Sequence, residues 1–315
     1  MRVIVKAPAH LHAGNFDLTG DLGRLFGTVG FAIDYPLEIE VSRYWSVESN
    51  DSWAKLYAQH FIERFKLEGL RVNVKRRIPG FCGLGYHTTL ALSIGAAASR
   101  IYELNLSIEE IALVMRRGAI TALGVYALKV GGFIVEGGFR VDRREQMIPP
   151  LIFRYPVPED WLFVVAIPEK PREQMAKLRE KEKGILRELK VMPKSLSSDL
   201  SRIVLVKIIP SIIEGDLESF GEGLTSFNSM LGDFWREYQG GRYCHPIVEE
   251  GIRIMSSKAS CACQSSWGPA FYGIVKGESK AKALADELKG FLERNGGGEV
   301  FCAKANNSGM TIMEG

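Results

Sequence analysis

Apolar and polar residues alternate at Leu37, Ile39 and Val41 against Glu38, Glu40 and Ser42, a period of two that predicts a strand with one buried face. Val3 and Val5 open an earlier strand, and a glycine-rich segment lies between the two. The period then changes. Trp53, Leu56, Tyr57, Phe61 and Phe65 recur at helical spacing behind Asp51, which is able to cap the first turn. Val72 to Ile78 reads as a strand, and Ser107 with Glu110 has the capping-box spacing for a helix through Met115. Phe133 to Val135, flanked by Gly131, Gly132, Gly137 and Gly138, reads as a buried strand between turns.

Pro149, Pro150, Pro156 and Pro158 break the pattern ahead of an apolar strand, Trp161 to Ile167. The boundary between two domains, residues 1–155 and 156–315, is placed there. Residues 169–190 are highly charged, yet Met175, Leu178, Ile185 and Leu189 make a helical stripe; a solvated helix with pairs such as Glu173 and Lys177 is expected. Helices follow over 198–213, 216–231 and 246–256, then strands at Ala259 to Cys263 and Phe271 to Val275, a helix over 279–294 and a last strand, Val300 to Lys304. Strand, helices, two strands, helix, strand resembles a split β-α-β unit, so the fold class is α+β.

Composition narrows the function classes. A chain of 315 residues with 46% hydrophobic and 24% charged residues excludes disorder and a small stapled scaffold. Lys+Arg of 40 against Asp+Glu of 37 gives +3, too small a field to mark a nucleic-acid binder, and leaves room for a small anionic ligand. The five cysteines lack zinc spacing and read as small buried hydrophobes of a reducing cytoplasm. The start MRVIVKAPAH lacks a signal-peptide apolar core. The uncharged stretch Ile78 to Ser99 is interrupted by Pro79, Gly80, Gly83 and Gly85, which argues against a membrane span.

Three segments carry candidate chemistry. In the first, His10 and His12 project to one face of a strand, with Asp17, Asp21 and Arg24 behind them. Carboxylates suit Mg²⁺, Arg suits phosphate or carboxylate, and His moves protons; a plain edge-strand placement of the two histidines is the alternative. In the second, Pro79-Gly80-Phe81-Cys82-Gly83-Leu84-Gly85 runs past Tyr86, His87, Thr88 and Thr89 into an apolar helix. Glycine backbone and a helix N-terminus make a phosphate cradle, although a tight strand-to-helix turn has the same signature. On the cradle reading, Gly85→Asp abolishes phosphate binding and leaves the fold intact. The third, Gln264-Ser265-Ser266-Trp267-Gly268-Pro269, is a small polar turn between two strands.

Together these segments resemble the GHMP kinase superfamily, and within it the β-ribofuranosylaminobenzene 5′-phosphate synthase branch. The resemblance rests on Leu11 to Gly30, Leu128 to Gly138 and Gln264 to Pro269 in order, with the G-L-G loop shared superfamily-wide. It implies an N-terminal domain of the ribosomal S5 domain 2-like type and a ferredoxin-like C-terminal domain. It also implies a Mg²⁺-dependent condensation of 4-aminobenzoate, or a related hydroxybenzoate, with phosphoribosyl pyrophosphate, releasing CO₂ and pyrophosphate in methanopterin-type coenzyme synthesis. His12, Asp17 and Arg24 become catalytic candidates, with Asp17 also toward Mg²⁺. Gly83, Leu84, Gly85, Thr88 and Thr89 become phosphate-binding candidates, and His10 with Gln264, Ser265, Ser266, Trp267 and Gly268 substrate-binding ones. Members are often dimers, so small-molecule substrates and a homodimer are the partners expected.

The chain departs from the branch pattern at His10, Phe26, Tyr86, His87 and Ile120 to Ala122. An ATP-dependent small-molecule kinase is the alternative reading, and a ligand-binding paralogue without turnover a third. Against the kinase, Thr121-Ala122-Leu123-Gly124-Val125 carries no acid where many superfamily kinases resemble one another in an Asp base.

Overall fold

The computed structural model describes residues 1–172, 184 and 188–315. The charged helix expected over 169–190 falls largely outside them. β1 (Arg2–Asp17) and β2 (Arg24–Arg43) form a long antiparallel hairpin. The glycine-rich segment expected to separate two short strands is therefore mostly strand itself. Pairing continues through it because bulges between Ala7 and Ala9 and between His12 and Gly14 absorb the irregular register. Val3, Val5, Leu37, Ile39 and Val41 are fully buried, as their alternation requires.

β2 also pairs with β4 (Leu70–Arg76) and β5 (Phe133–Glu136), and β7 (Leu151–Tyr155) joins β5. β3 (Glu48–Ser49) and β6 (Phe139–Arg140) complete this half of an eight-stranded sheet. Against it pack α1 (Ser52–Phe65), α2 (Tyr86–Ile101) and α4 (Leu123–Lys129), with α3 (Ile108–Val114) lying on α2 and α4. Asp51 caps α1 by accepting from the Ala54 N–H at 2.8 Å, and Ser107 and Glu110 exchange both capping-box bonds. In α1 the buried face is Ala54, Tyr57, Ala58, Phe61 and Ile62; Trp53 and Leu56, placed by spacing on the apolar stripe, lie on the exposed flank.

The second sheet has the order β11 (Gly298–Ala303), β8 (Trp161–Pro168), β10 (Phe271–Lys276), β9 (Cys263–Gln264), all antiparallel. Its helices are α5 (Lys194–Ile203), α6 (Ile209–Glu214), α7 (Leu217–Gln239), α8 (Pro246–Ser256) and α9 (Glu278–Arg294). A π-helical turn, Val204–Ile208, joins α5 to α6. A strand absent from the sequence reading, β12 (Thr311–Glu314), returns from the end of the chain to pair with β1. All four of its residues are exposed, so no buried apolar alternation marked it.

The halves share one core. Phe31 of β2 is fully buried, and its ring lies 5.2 Å from Phe133 of its own sheet, 5.1 Å from Phe163, 6.0 Å from Phe220 and 6.2 Å from Tyr272. Tilted and edge contacts of this kind add about 0.5–1.5 kcal/mol each beyond area burial. They hold the second half against the hairpin and so fix the cleft between them.

Candidate functional site

A cleft of about 770 Å³ opens between the halves. Its first-half wall includes His12, Thr88, Arg116 and Arg117, and its second-half wall includes Trp235 and Trp267. Three segments meet behind it. The His12 N–H donates to Ser265 Oγ at 3.0 Å, the Ser265 hydroxyl donates to the Gly83 carbonyl at 2.7 Å, and the Ala270 N–H donates to the Cys82 carbonyl at 2.8 Å. The serine is fully buried, so it acts as a strut between the glycine loop and the Gln264-to-Pro269 turn. Gln264 is saturated as well: its Oε1 accepts from the Cys244 N–H at 2.7 Å, and its Nε2 donates to Gln239 Oε1 and the Ser266 carbonyl.

The glycine loop leads into α2, whose Thr88 reaches this wall. The first N–H groups of a helix lack intrahelical acceptors, and here Gly85 at the cap offers no side-chain bond. Gly83 has φ +96 and Gly85 φ +75, a left-handed backbone that glycine adopts without strain. The glycines also permit close packing. A Cβ on Gly85 would lie 1.8 Å from His10 Cε1, and one on Gly83 would lie 2.3 Å from the Ser265 carbonyl oxygen. This corrects the expectation that Gly85→Asp spares the fold: the imidazole of His10 already fills the space.

His12, Thr88, Gln264, Ser266 and Trp267 line the cleft. His10, Gly83, Leu84, Gly85, Thr89, Ser265 and Gly268 form its framework; Thr89 and Leu84 are fully buried. Asp17 and Arg24 lie at the hairpin end and do not line the cleft. Asp17 Oδ1 accepts from the Thr19 N–H at 2.7 Å and the Thr19 hydroxyl at 2.6 Å, and Arg24 donates to the Gly138 carbonyl at 2.8 Å. Asp17 thus closes the hairpin turn, and Arg24 ties β2 to the segment between β5 and β6. Tyr86 and His87 also avoid the cleft lining. Tyr86 donates to Asp51 Oδ2 at 2.9 Å, and the His87 ring packs among Trp53 at 4.6 Å and Phe81 at 5.1 Å, with Tyr57 Oη 3.2 Å from its Nδ1. These departures from the branch pattern serve the α1–α2 contact.

Sequence reasoning missed Arg116, Arg117, Trp235 and Arg242, all on the cleft lining. Two adjacent arginines just past a capped helix were a legible signal. Arg117 donates to Tyr57 Oη at 2.5 Å, its guanidinium carbon stands 5.2 Å from the Tyr57 ring centre, and its Nε is buried without an acceptor. Among the described residues no ion pair involves Arg116 or Arg117. An orphaned buried donor costs about 1–3 kcal/mol.

Residues 53–131 match the model of the GHMP kinases N terminal domain, and residues 208–294 match GHMP kinases C terminal, together more than half of the chain. The chain belongs to the GHMP kinase superfamily. Among solved GHMP structures it resembles L. major mevalonate kinase (TM-score 0.69, 15% identity, 96% of each chain) and a homoserine kinase from Cytophaga hutchinsonii (TM-score 0.68, 15% identity, 99% of this chain and 97% of that one). Those likenesses establish the two-domain α+β fold alone. Two archaeal relatives named beta-ribofuranosylphenol 5′-phosphate synthase match end to end. The one from Methanothermobacter thermautotrophicus is 29% identical over 100% of this chain and 99% of its own; that from Methanocaldococcus jannaschii is 26% identical over 98% and 100%.

Within this GHMP cleft, Glu145 is the carboxylate on the lining among the described residues. No described group of three or more His, Cys, Asp or Glu side chains is placed to hold a metal. The residues present therefore do not build a protein cage for Mg²⁺, and Asp17 stands outside the cleft. Among described residues no helix is long and apolar enough to cross a membrane.

Behind the lining lies a buried acid. Asn15, on the cleft, donates to Thr28 Oγ1 at 3.1 Å, the Thr28 hydroxyl donates to Glu136, and Glu136 also accepts from the Gly138 N–H at 2.7 Å. Burial pushes the Glu136 carboxyl up to about 7, against the pull of these donors and Arg24. The unfolded carboxyl ionises near 4.5, so the folded state keeps a proton the unfolded chain has lost, and stability falls as pH rises from about 4.5 to about 7. Glu136→Gln, which cannot ionise, is expected to lack that decline, gaining roughly 3 kcal/mol relative to the parent between pH 5 and 8. Urea unfolding of both proteins at each pH measures it; parallel pH profiles would contradict the assignment.

Proposed function

We propose that this chain is a decarboxylating phosphoribosyl transferase that joins an aryl carboxylate to phosphoribosyl pyrophosphate. The observation that carries the reading is the charge pattern of the cleft: two arginines that lack carboxylate partners among the described residues, on the same lining as Thr88 of the first turn of α2, and no acid on the Thr121-to-Val125 stretch. The full-length relatives support it. Their names specify a phenol product, which points to the hydroxybenzoate of the two expected acceptors.

The chemistry fits such a site. Pyrophosphate leaves the anomeric carbon with the bonding pair, and the ring carbon bearing the carboxylate forms the new C–C bond. The C–CO₂ bond then breaks and its electrons restore the aromatic ring. No hydroxyl is deprotonated, so the acid base of a kinase has no counterpart here. Negative charge grows on the departing pyrophosphate, where Arg116, Arg117 and Thr88 of the first turn of α2 stabilise it in a partly desolvated cleft. His12 faces the same space and is the group placed to hydrogen-bond the leaving oxygens. No step passes through a metal built into the protein.

Incubation of the pure protein with 4-hydroxybenzoate and phosphoribosyl pyrophosphate, with Mg²⁺ in the buffer, tests the proposal. Release of CO₂ and pyrophosphate in equal amounts is expected. No release, or ADP formed from ATP and small alcohols in a parallel mixture, overturns it.

A further inference from the structure

We infer that Trp235 and Trp267 form the subsite for the acceptor's aromatic ring, an inference that rests on the function proposed above and adds which wall reads the acceptor. The two indoles come from separate elements, α7 and the turn before β10, yet meet on the cleft with ring centres 4.9 Å apart and planes at 58°. Both are half-buried. Tilted rings of this kind leave an aromatic corner open to the cleft, and a flat ring fits it by offset or edge contact.

The surroundings hold this corner rigid. The Gly268 N–H donates to the Ser265 carbonyl at 2.9 Å, and the Ser266 N–H donates to the His12 carbonyl at 3.3 Å, fixing the backbone on either side of Trp267. Trp235 is braced by Phe234 at 5.3 Å and Tyr238 at 5.6 Å. Preorganised rings of few rotatable bonds bind a rigid ligand at low entropic cost.

Charge separates the two substrates. On the second-half wall Arg242 is held by Asp233 through two bonds of 2.9 Å, and Arg236 reaches the same carboxylate at 2.5 Å. Arg116 and Arg117, which make no ion pair among the described residues, belong to the first-half wall. A polyanionic donor is thus drawn to the arginines, while the indole corner recognises a ring by its faces and edges. This arrangement selects an aromatic acid over a saturated one of equal charge.

The test uses the whole protein and single variants Trp235→Leu, Trp267→Leu, Trp235→Phe and Trp267→Phe. Binding of 4-hydroxybenzoate, with and without phosphoribosyl pyrophosphate, is followed by tryptophan fluorescence and calorimetry, with 4-hydroxycyclohexanecarboxylate as the saturated probe. The Leu variants are expected to raise Kd and KM for the aryl acid roughly tenfold, with KM for the donor unchanged and the Phe variants within about threefold of the parent. Wild-type affinity in both Leu variants, a proportional rise in donor KM, or equal binding of the saturated acid overturns the subsite. So does absence of aryl binding to the parent under both conditions. A parent that binds the acid and releases no CO₂ defeats the proposed reaction and leaves the subsite standing; turnover indifferent to both tryptophans does the reverse.

Discussion

Arg117→Met is expected to lower kcat/KM for the phosphoribosyl donor by about a hundredfold or more, while stability stays within about 1 kcal/mol of the parent. The two halves of that expectation have separate causes. Loss of activity follows from removing one of two cations that line the cleft without a carboxylate partner among the described residues, where the proposed reaction places the charge of the leaving group. Unchanged stability follows from opposing local effects. Methionine forfeits the bond to Tyr57 and the contact with its ring, and it also removes the buried Nε that lacks an acceptor. Arg117→Lys should fall between, because it keeps charge and loses the planar fork that grips phosphate oxygens in pairs. Steady-state kinetics and urea unfolding on the same preparations decide it. Activity within threefold of the parent in the Met variant would remove Arg117 from the site.

Gly85→Ala should destabilise the protein by about 3 kcal/mol and disorder the glycine loop. Its Cβ would lie 1.8, 2.2 and 2.4 Å from three atoms of the His10 ring, and φ +75 disfavours any side chain besides. The ring has little room to yield: Gly124 also packs against it, where an added Cβ would come within 2.9 Å, and the backbone N–H of His10 is tied to the Leu84 carbonyl at 3.3 Å. A His10→Ala, Gly85→Ala double variant removes the collision and leaves the backbone strain. It should therefore recover part of the loss, giving a coupling energy of about 1–2 kcal/mol in a double-mutant cycle. A single variant as stable as the parent, by urea unfolding, would show that the loop relaxes freely.

Much of the framework was legible one element at a time. The alternation at Leu37 to Ser42, the Asp51 cap and the Ser107–Glu110 capping box report on neighbours close in sequence, and the structure has each in place. The Gly83-to-Gly85 loop and Trp267 were found for the same reason, as short motifs on the edge of a helix or turn. Asp17 and Arg24 show where that logic stops. Their residue types suit catalysis, yet Asp17 is used by a local bond to Thr19 that shapes a turn and Arg24 by a long-range bond to the Gly138 carbonyl, and nothing in the spacing distinguishes these uses from catalysis.

The sequence by itself determined the α+β class, many of its elements and the superfamily, because periodicity, caps and motif order are properties of contiguous residues. Tertiary structure alone decided which side chains share the cleft. Trp235 and Trp267 are 32 positions apart and meet only because α7 packs beside the turn before β10. Arg117 is held at the cleft by a bond to Tyr57, 60 positions earlier in the chain. Phe31 and the rings of the second half close the two walls together, and burial against distant partners is a quantity no local pattern contains.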